Sequence, residues 1–99
     1  MMLAFLHKVI DFLLGRTKDS KDIVTIFDEH GLSVVSGKNT YSVQLRKTVR
    51  HSWGTEYAFN VPLGITFNKC KECTGAIADI LQKKVTMTSF SLLHVNVYE

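Results

Sequence analysis

The segment from Tyr41 to Arg50 constrains the fold of this chain more than any other. Apolar side chains recur at every second position along most of it, at Tyr41, Val43, Leu45 and Val49. Because successive side chains of a strand point to opposite faces of a sheet, this alternation predicts a strand with one buried and one solvent-exposed face. The polar set on the other face consists of Ser42, Gln44, Arg46, Thr48 and Arg50.

Neighbouring segments extend this strand into an antiparallel meander. The apolar run Leu32–Val35 precedes it across a turn at 36–39, and the alternating segment Tyr57–Val61 follows a turn around Trp53–Thr55. Two further strands are predicted at 84–88 and 92–98, with a turn at 89–91 between them. Alternating runs separated by turn residues are typical of strands joined in sequence order.

Helical spacing of apolar residues occurs in three segments. The first covers residues 3–14, and the second covers residues 22–30, which fit either a short helix or a strand. Gly31 favours the helix, because glycine commonly ends helices. The third begins with Thr66 or Asn68 as its N-cap, and its apolar stripe comprises Phe67, Cys70, Cys73, Ile77, Ile80 and Leu81.

These elements predict an α+β fold in the order α-α-β-β-β-α-β-β. A mainly antiparallel sheet of about five strands would carry the helices on one face. At 99 residues the chain is long enough for one domain. We expect an apolar N-terminal helix as an arm at 1–16, a linker at 17–21 that ends at Asp19 or Ser20 as a helix cap, and a single domain at 22–98.

The N-terminal segment is apolar on most sides, and its central stripe is an expected interaction helix formed by Leu3, Leu6, Ile10 and Leu13. Such a helix requires cover from its own domain, a second copy, a partner protein or a membrane surface. It is shorter than a membrane-spanning helix, and no cleavable signal is recognisable. We therefore expect a cytoplasmic protein, with peripheral membrane association as the alternative.

Four short segments resemble a known family: Phe27–Leu32, Tyr57–Val61, Pro62–Phe67 and Ile77–Leu81. In this order they are similar to the small domain that precedes the motor in FtsK/SpoIIIE-type DNA translocases, including coupling proteins of mobile elements. The similarity covers residues 22–98. A phosphate-binding loop and an acidic Walker-B strand are both missing from the sequence, so the resemblance implies the accessory domain alone. It also implies self-assembly around DNA or docking to a partner motor.

The predicted polar strand face is the candidate nucleic-acid surface. Arg46 and Arg50 would contact phosphates, with Lys47 and Gln44 beside them. Tyr41 or Trp53 would stack on a base. The alternative interpretation is an ordinary solvated sheet face, with Trp53 packed under its turn.

Cys70 and Cys73 have the spacing of half a zinc site or of a redox pair. No second pair accompanies them, and His30, His51 and His94 show no ligand spacing. Because both cysteines fall on the apolar stripe of a helix, we interpret them as core residues and expect no metal and no cofactor.

No motif of a known catalytic type is present, so we expect a protein that is not an enzyme. The net charge of +3 favours acidic partners. The leading hypothesis is a DNA-associated or assembly module. The alternative is a small phage or mobile-element module that dimerises or binds a host protein through its N-terminal helix.

Overall fold

The computed structural model describes residues 17–99, and the expected N-terminal interaction helix with Leu3, Leu6, Ile10 and Leu13 lies outside these residues. Three helices and six strands follow one another in the described part of the chain. They are α1 (Lys18–Glu29), β1 (Ser33–Ser36), β2 (Asn39–Ser42), β3 (Gln44–His51), β4 (Gly54–Asn60), α2 (Phe67–Lys71), α3 (Thr74–Leu81), β5 (Lys84–Phe90) and β6 (Leu92–Tyr98).

The strands form two antiparallel sheets, which confirms the predicted α+β class. One has four strands in the order β3-β4-β6-β5, and the other is the two-stranded hairpin β1-β2. The predicted strand at 41–50 is divided between them at Val43, where the chain leaves its pairing with β1 and begins to pair with β4. Val43 itself is buried in the core.

Helix α1 begins earlier than the sequence predicts, because Thr17 is its N-cap. The Thr17 hydroxyl accepts a hydrogen bond from the Ser20 amide, and the Ser20 hydroxyl accepts one from the Thr17 amide. This reciprocal pair satisfies two backbone donors that a helix start leaves without partners. Residues 18–21 of the expected linker therefore belong to α1, and neither Asp19 nor Ser20 is the cap.

The third predicted helical segment is interrupted near Cys73 and forms two helices, α2 and α3. Thr66 is the N-cap of α2, as one of the two predicted alternatives had it. The predicted stripe holds at Cys70, Cys73 and Ile77, which are fully buried. Ile80 is exposed, whereas Leu81 beside it is partly buried against the core.

The core lies between the helices and one face of the four-stranded sheet. This helix-facing side of the sheet carries Tyr57 and Phe59 of β4 with Leu93, Val95 and Val97 of β6, all of them buried. Phe27 of α1 packs edge-on against Phe59, with their ring centroids 5.7 Å apart. The Thr17 hydroxyl also lies 2.8 Å from the Tyr57 hydroxyl. Among residues 17–99 no helix has the length and apolar character needed to cross a membrane.

Thr55 provides a test of this core. Its hydroxyl is buried on the helix-facing side and has no hydrogen-bond partner within residues 17–99. We expect Thr55→Val to raise the free energy of unfolding by about 1 kcal/mol, because it replaces an unpaired buried hydroxyl with a methyl group of the same shape. Urea denaturation measures this, and Thr55→Ser is the control that keeps the hydroxyl. A destabilised valine variant would contradict the assignment.

Candidate nucleic-acid interface

A β-bulge in β3 determines which of its side chains reach each face of the sheet. Leu45 pairs with Phe59 and Lys47 pairs with the next residue of β4, Ala58, so Arg46 is an extra residue without a partner in β4. One extra residue reverses the alternation of all side chains that follow it. The predicted polar face made of Gln44, Arg46, Thr48 and Arg50 is therefore not formed.

The face that the described helices leave uncovered, here called the open face, receives Lys47, Val49 and His51 from β3. Register along the sheet then places Glu56 and Ala58 of β4 on this face, together with residues of β6 and β5. Those residues are Leu92, His94, Asn96, Tyr98, Lys84, Thr86, Thr88 and Phe90. The open face is thus mostly polar and partly basic, with the apolar side chain of Phe90 exposed at one end.

Gly54 sits at the centre of a row that crosses the open face. It pairs with His51 on one side and with Tyr98 on the other, and Tyr98 pairs with Lys84 at the sheet edge. Gly54 has φ +151°, and a Cβ atom there would overlap the Val97 carbonyl oxygen. Only glycine fits this position without a shift of the backbone.

The ring of Trp53, the residue before Gly54, contacts the two aromatic rings of this row. It stacks against the His51 ring at 4.6 Å between centroids and an interplanar angle of 10°, and against the Tyr98 ring at 4.8 Å and 35°. The Lys84 ammonium group lies 5.6 Å from the Tyr98 ring centroid. The indole that the sequence predicts as a stacking partner for a base is thus already in contact with two rings of its own protein.

Glu56 links two histidines on the open face. Its Oε1 lies 2.9 Å from Nε2 of His51, and its Oε2 lies 2.7 Å from Nδ1 of His94. The hydrogen bond from His51 is the largest of the contributions that lower the pKa of Glu56, and the bond from His94 adds to it against the opposing effect of burial. The carboxylate is therefore held in its ionised form.

The predicted phosphate contacts are separated by the bulge. Lys47 is on the open face, and Arg46 is exposed at its edge as the bulged residue. Gln44 precedes the bulge and is exposed opposite Asn60. Arg50 instead belongs to the helix-facing side, where it approaches Glu99 at 4.0 Å. The Lys83 ammonium group bonds Glu99 as well as Asp19, and these two bonds raise its pKa.

Tyr41 lies apart from the basic residues, in the hairpin β1-β2. Together with Val34, Pro62 and Leu63 it lines an open groove of about 430 Å³. Tyr41 is 50% exposed and Leu63 is 95% exposed. Trp53 follows the opposite end of β3, so the two predicted stacking partners do not act on one site.

Cys70 and Cys73 are in the core, as interpreted from the sequence. Both are free thiols with no exposed surface, and burial raises the pKa of each. A raised pKa keeps a thiol protonated and unreactive. No group of three or more His, Cys, Asp or Glu side chains within residues 17–99 is arranged to hold a metal ion.

Sequence reasoning missed Glu56, His94 and Tyr98 as members of this site. His51 and Glu56 flank a tight turn, so hairpin pairing alone could have brought them together. His94 is 38 residues from Glu56 and reaches it only through the pairing of β4 with β6. No local pattern indicates that contact.

The chain was also compared with known proteins. No protein-family model, curated protein or solved structure matches the chain.

The central position of Gly54 gives a testable prediction. We expect Gly54→Ala to lower the free energy of unfolding by about 2 kcal/mol or more, since its backbone conformation and the Val97 carbonyl both exclude a side chain. Trp53 fluorescence during urea denaturation measures the change. Gly75→Ala is the matched control in helix α3, where a Cβ has open space, and it should stabilise by about 0.5–1 kcal/mol. An equal change in the free energy of unfolding in the two variants would contradict the requirement for glycine at position 54.

Proposed function

We propose that this protein is a non-enzymatic DNA-associated module that binds the phosphate backbone of DNA on the open face of its four-stranded sheet. The observation that carries the proposal is the distribution of charge among the strands. Of the four basic residues in strands β3 to β6, Lys47 and Lys84 lie on the open face, Arg46 lies at its edge and Arg50 lies on the helix-facing side, and the single acidic residue of these strands is Glu56.

The acidic residues are concentrated elsewhere in the described part of the chain. Helix α1 contains four of them, α3 contains Asp79, and Glu99 is bonded to Lys83. Glu56 is the one carboxylate on strands β3 to β6. Its two oxygens are hydrogen-bonded to His51 and His94, so its negative charge is less available to repel a phosphate. A polyanion therefore meets least repulsion on the open face, where Lys47 and Lys84 lie on opposite edge strands.

The proposed contact is to phosphates and not to base edges. Trp53 is already stacked against His51 and Tyr98, Glu56 is bonded to two histidines, and the other polar groups of the face are hydroxyls, amides and lysines. Phosphate contacts fix a protein on DNA without reading its sequence. Such binding suits an accessory domain of a DNA translocase, the family that the sequence resembles over residues 22–98.

The two lysines of the open face supply the test. We expect Lys47→Gln/Lys84→Gln to weaken binding of short single- and double-stranded DNA by about tenfold or more at about 50 mM salt. The slope of log affinity against log salt should fall by about 1.4 for single strands, which is about 0.7 for each lost phosphate contact. Fluorescence anisotropy of labelled DNA at several salt concentrations measures both quantities.

The matched control is Lys69→Gln/Lys71→Gln, which removes the same charge from exposed positions of α2. It should retain a salt slope close to that of the unaltered protein. Equal losses in the two double variants would mean that binding follows net charge alone. Absence of binding to either DNA at low salt would overturn the proposal.

The alternative is a module that dimerises or binds a partner protein through the N-terminal helix. The same titration separates the two hypotheses, because Leu6→Ser/Ile10→Ser, which keeps the net charge, should leave DNA binding unchanged if the open face carries it. Loss of self-association in that variant, with no DNA binding in any variant, would favour the alternative.

A further inference from the structure

His94 is placed so that both of its ring nitrogens face oxygen acceptors. Nδ1 lies 2.7 Å from Oε2 of Glu56, and Nε2 lies 3.1 Å from the carbonyl oxygen of Phe90. A neutral imidazole carries one N–H, so it can donate to only one of these oxygens, and its other nitrogen directs a lone pair at the second. The imidazolium form donates to both.

Protonation of Glu56 would be another way to supply the missing proton. The pKa of this carboxyl is lowered, chiefly by the hydrogen bond from His51, so the group remains ionised at neutral pH. The carboxylate therefore does not supply the missing proton, and only the imidazolium form of His94 would donate to both oxygens. His51 shares the same carboxylate through Nε2, and its ring stacks on Trp53, an arrangement that also suits a cation.

We propose that protonation of His94 and His51 regulates the open face, so that DNA binding tightens as the pH falls from about 8 to about 5.5. The inference rests on the proposed function, since it concerns the same face. Each protonation adds one positive charge to a surface that already carries Lys47 and Lys84. The bonds to Glu56 hold these charges in place at the centre of the face.

The charged surroundings of the two histidines are few. Both histidines face Glu56 of β4. His94 also faces Lys47 of β3, with Ala58 between them, and His51 lies in the same row of paired residues as Lys84 of β5. Trp53, Tyr98 and Thr88 are the uncharged neighbours. A lowered pKa for Glu56 means that its own titration lies at acidic pH, below the usual range for a glutamate. Glu56 therefore contributes little to any change in charge on this face between about pH 5.5 and 8.

The test is a DNA titration of the full chain at constant salt between about pH 8 and about pH 5.5, with the ring resonances of the histidines followed by NMR. We expect the affinity to rise about tenfold over this range. His51→Gln/His94→Gln should remove most of the rise while leaving binding at pH 8 sensitive to salt. His30→Gln is the matched control, because His30 follows α1 on the other side of the molecule.

The outcomes separate this inference from the proposed function. Binding that depends on Lys47 and Lys84 but not on pH would overturn the inference and leave the proposed function standing. Absence of binding at every pH would overturn both. An NMR titration in which neither His94 nor His51 takes up a proton within this range would also overturn the inference, and it needs no variant that folds.

Discussion

The β-bulge at Arg46 is the constraint on which the rest of this structure depends. Side chains alternate along β3 with a period of two, so one extra residue exchanges the two faces for every later position. Thr48 and Arg50 are sent to the helix-facing side, and Lys47 and His51 to the open face. Without the bulge, His51 would point away from Glu56 and Trp53, and neither the stacked row nor the pair of histidine bonds could form.

Gly54 is the second residue on which the row across the open face depends. Its missing side chain lets its backbone lie close to the Val97 carbonyl, and the Trp53 indole beside it contacts His51 of β3 and Tyr98 of β6. The opposite side of the same strands is closed by the core of α1 and α3. The sheet therefore carries packing on one face and charge on the other, and this separation is the physical basis of the proposed phosphate contact.

Periodicity alone predicts much of the fold, because the strands near the C-terminus and the buried positions of α1 follow regular spacing. Periodicity fails where a single residue shifts the regular spacing of buried side chains. This happens at the bulge, at Val43 where the strand changes partners, and at Cys73 where the helix is interrupted. The start of α1 was missed because a serine, Ser20, takes the place of the usual glutamate or glutamine in the capping box. Of the candidate site, Lys47 and Trp53 were expected, whereas His94 depends on strand pairing that no local pattern encodes.

Mapping the contact surface by NMR tests the central claim most directly, namely that the open face of the sheet binds DNA. Short single-stranded DNA would be added to the isotope-labelled full chain at low salt, and the backbone amide resonances would be followed residue by residue. We expect the largest shifts at Lys47, Glu56, His94 and their neighbours across β3, β4 and β6, with α1 and α3 little changed. Shifts confined to the helices, or no shifts at all, would contradict it.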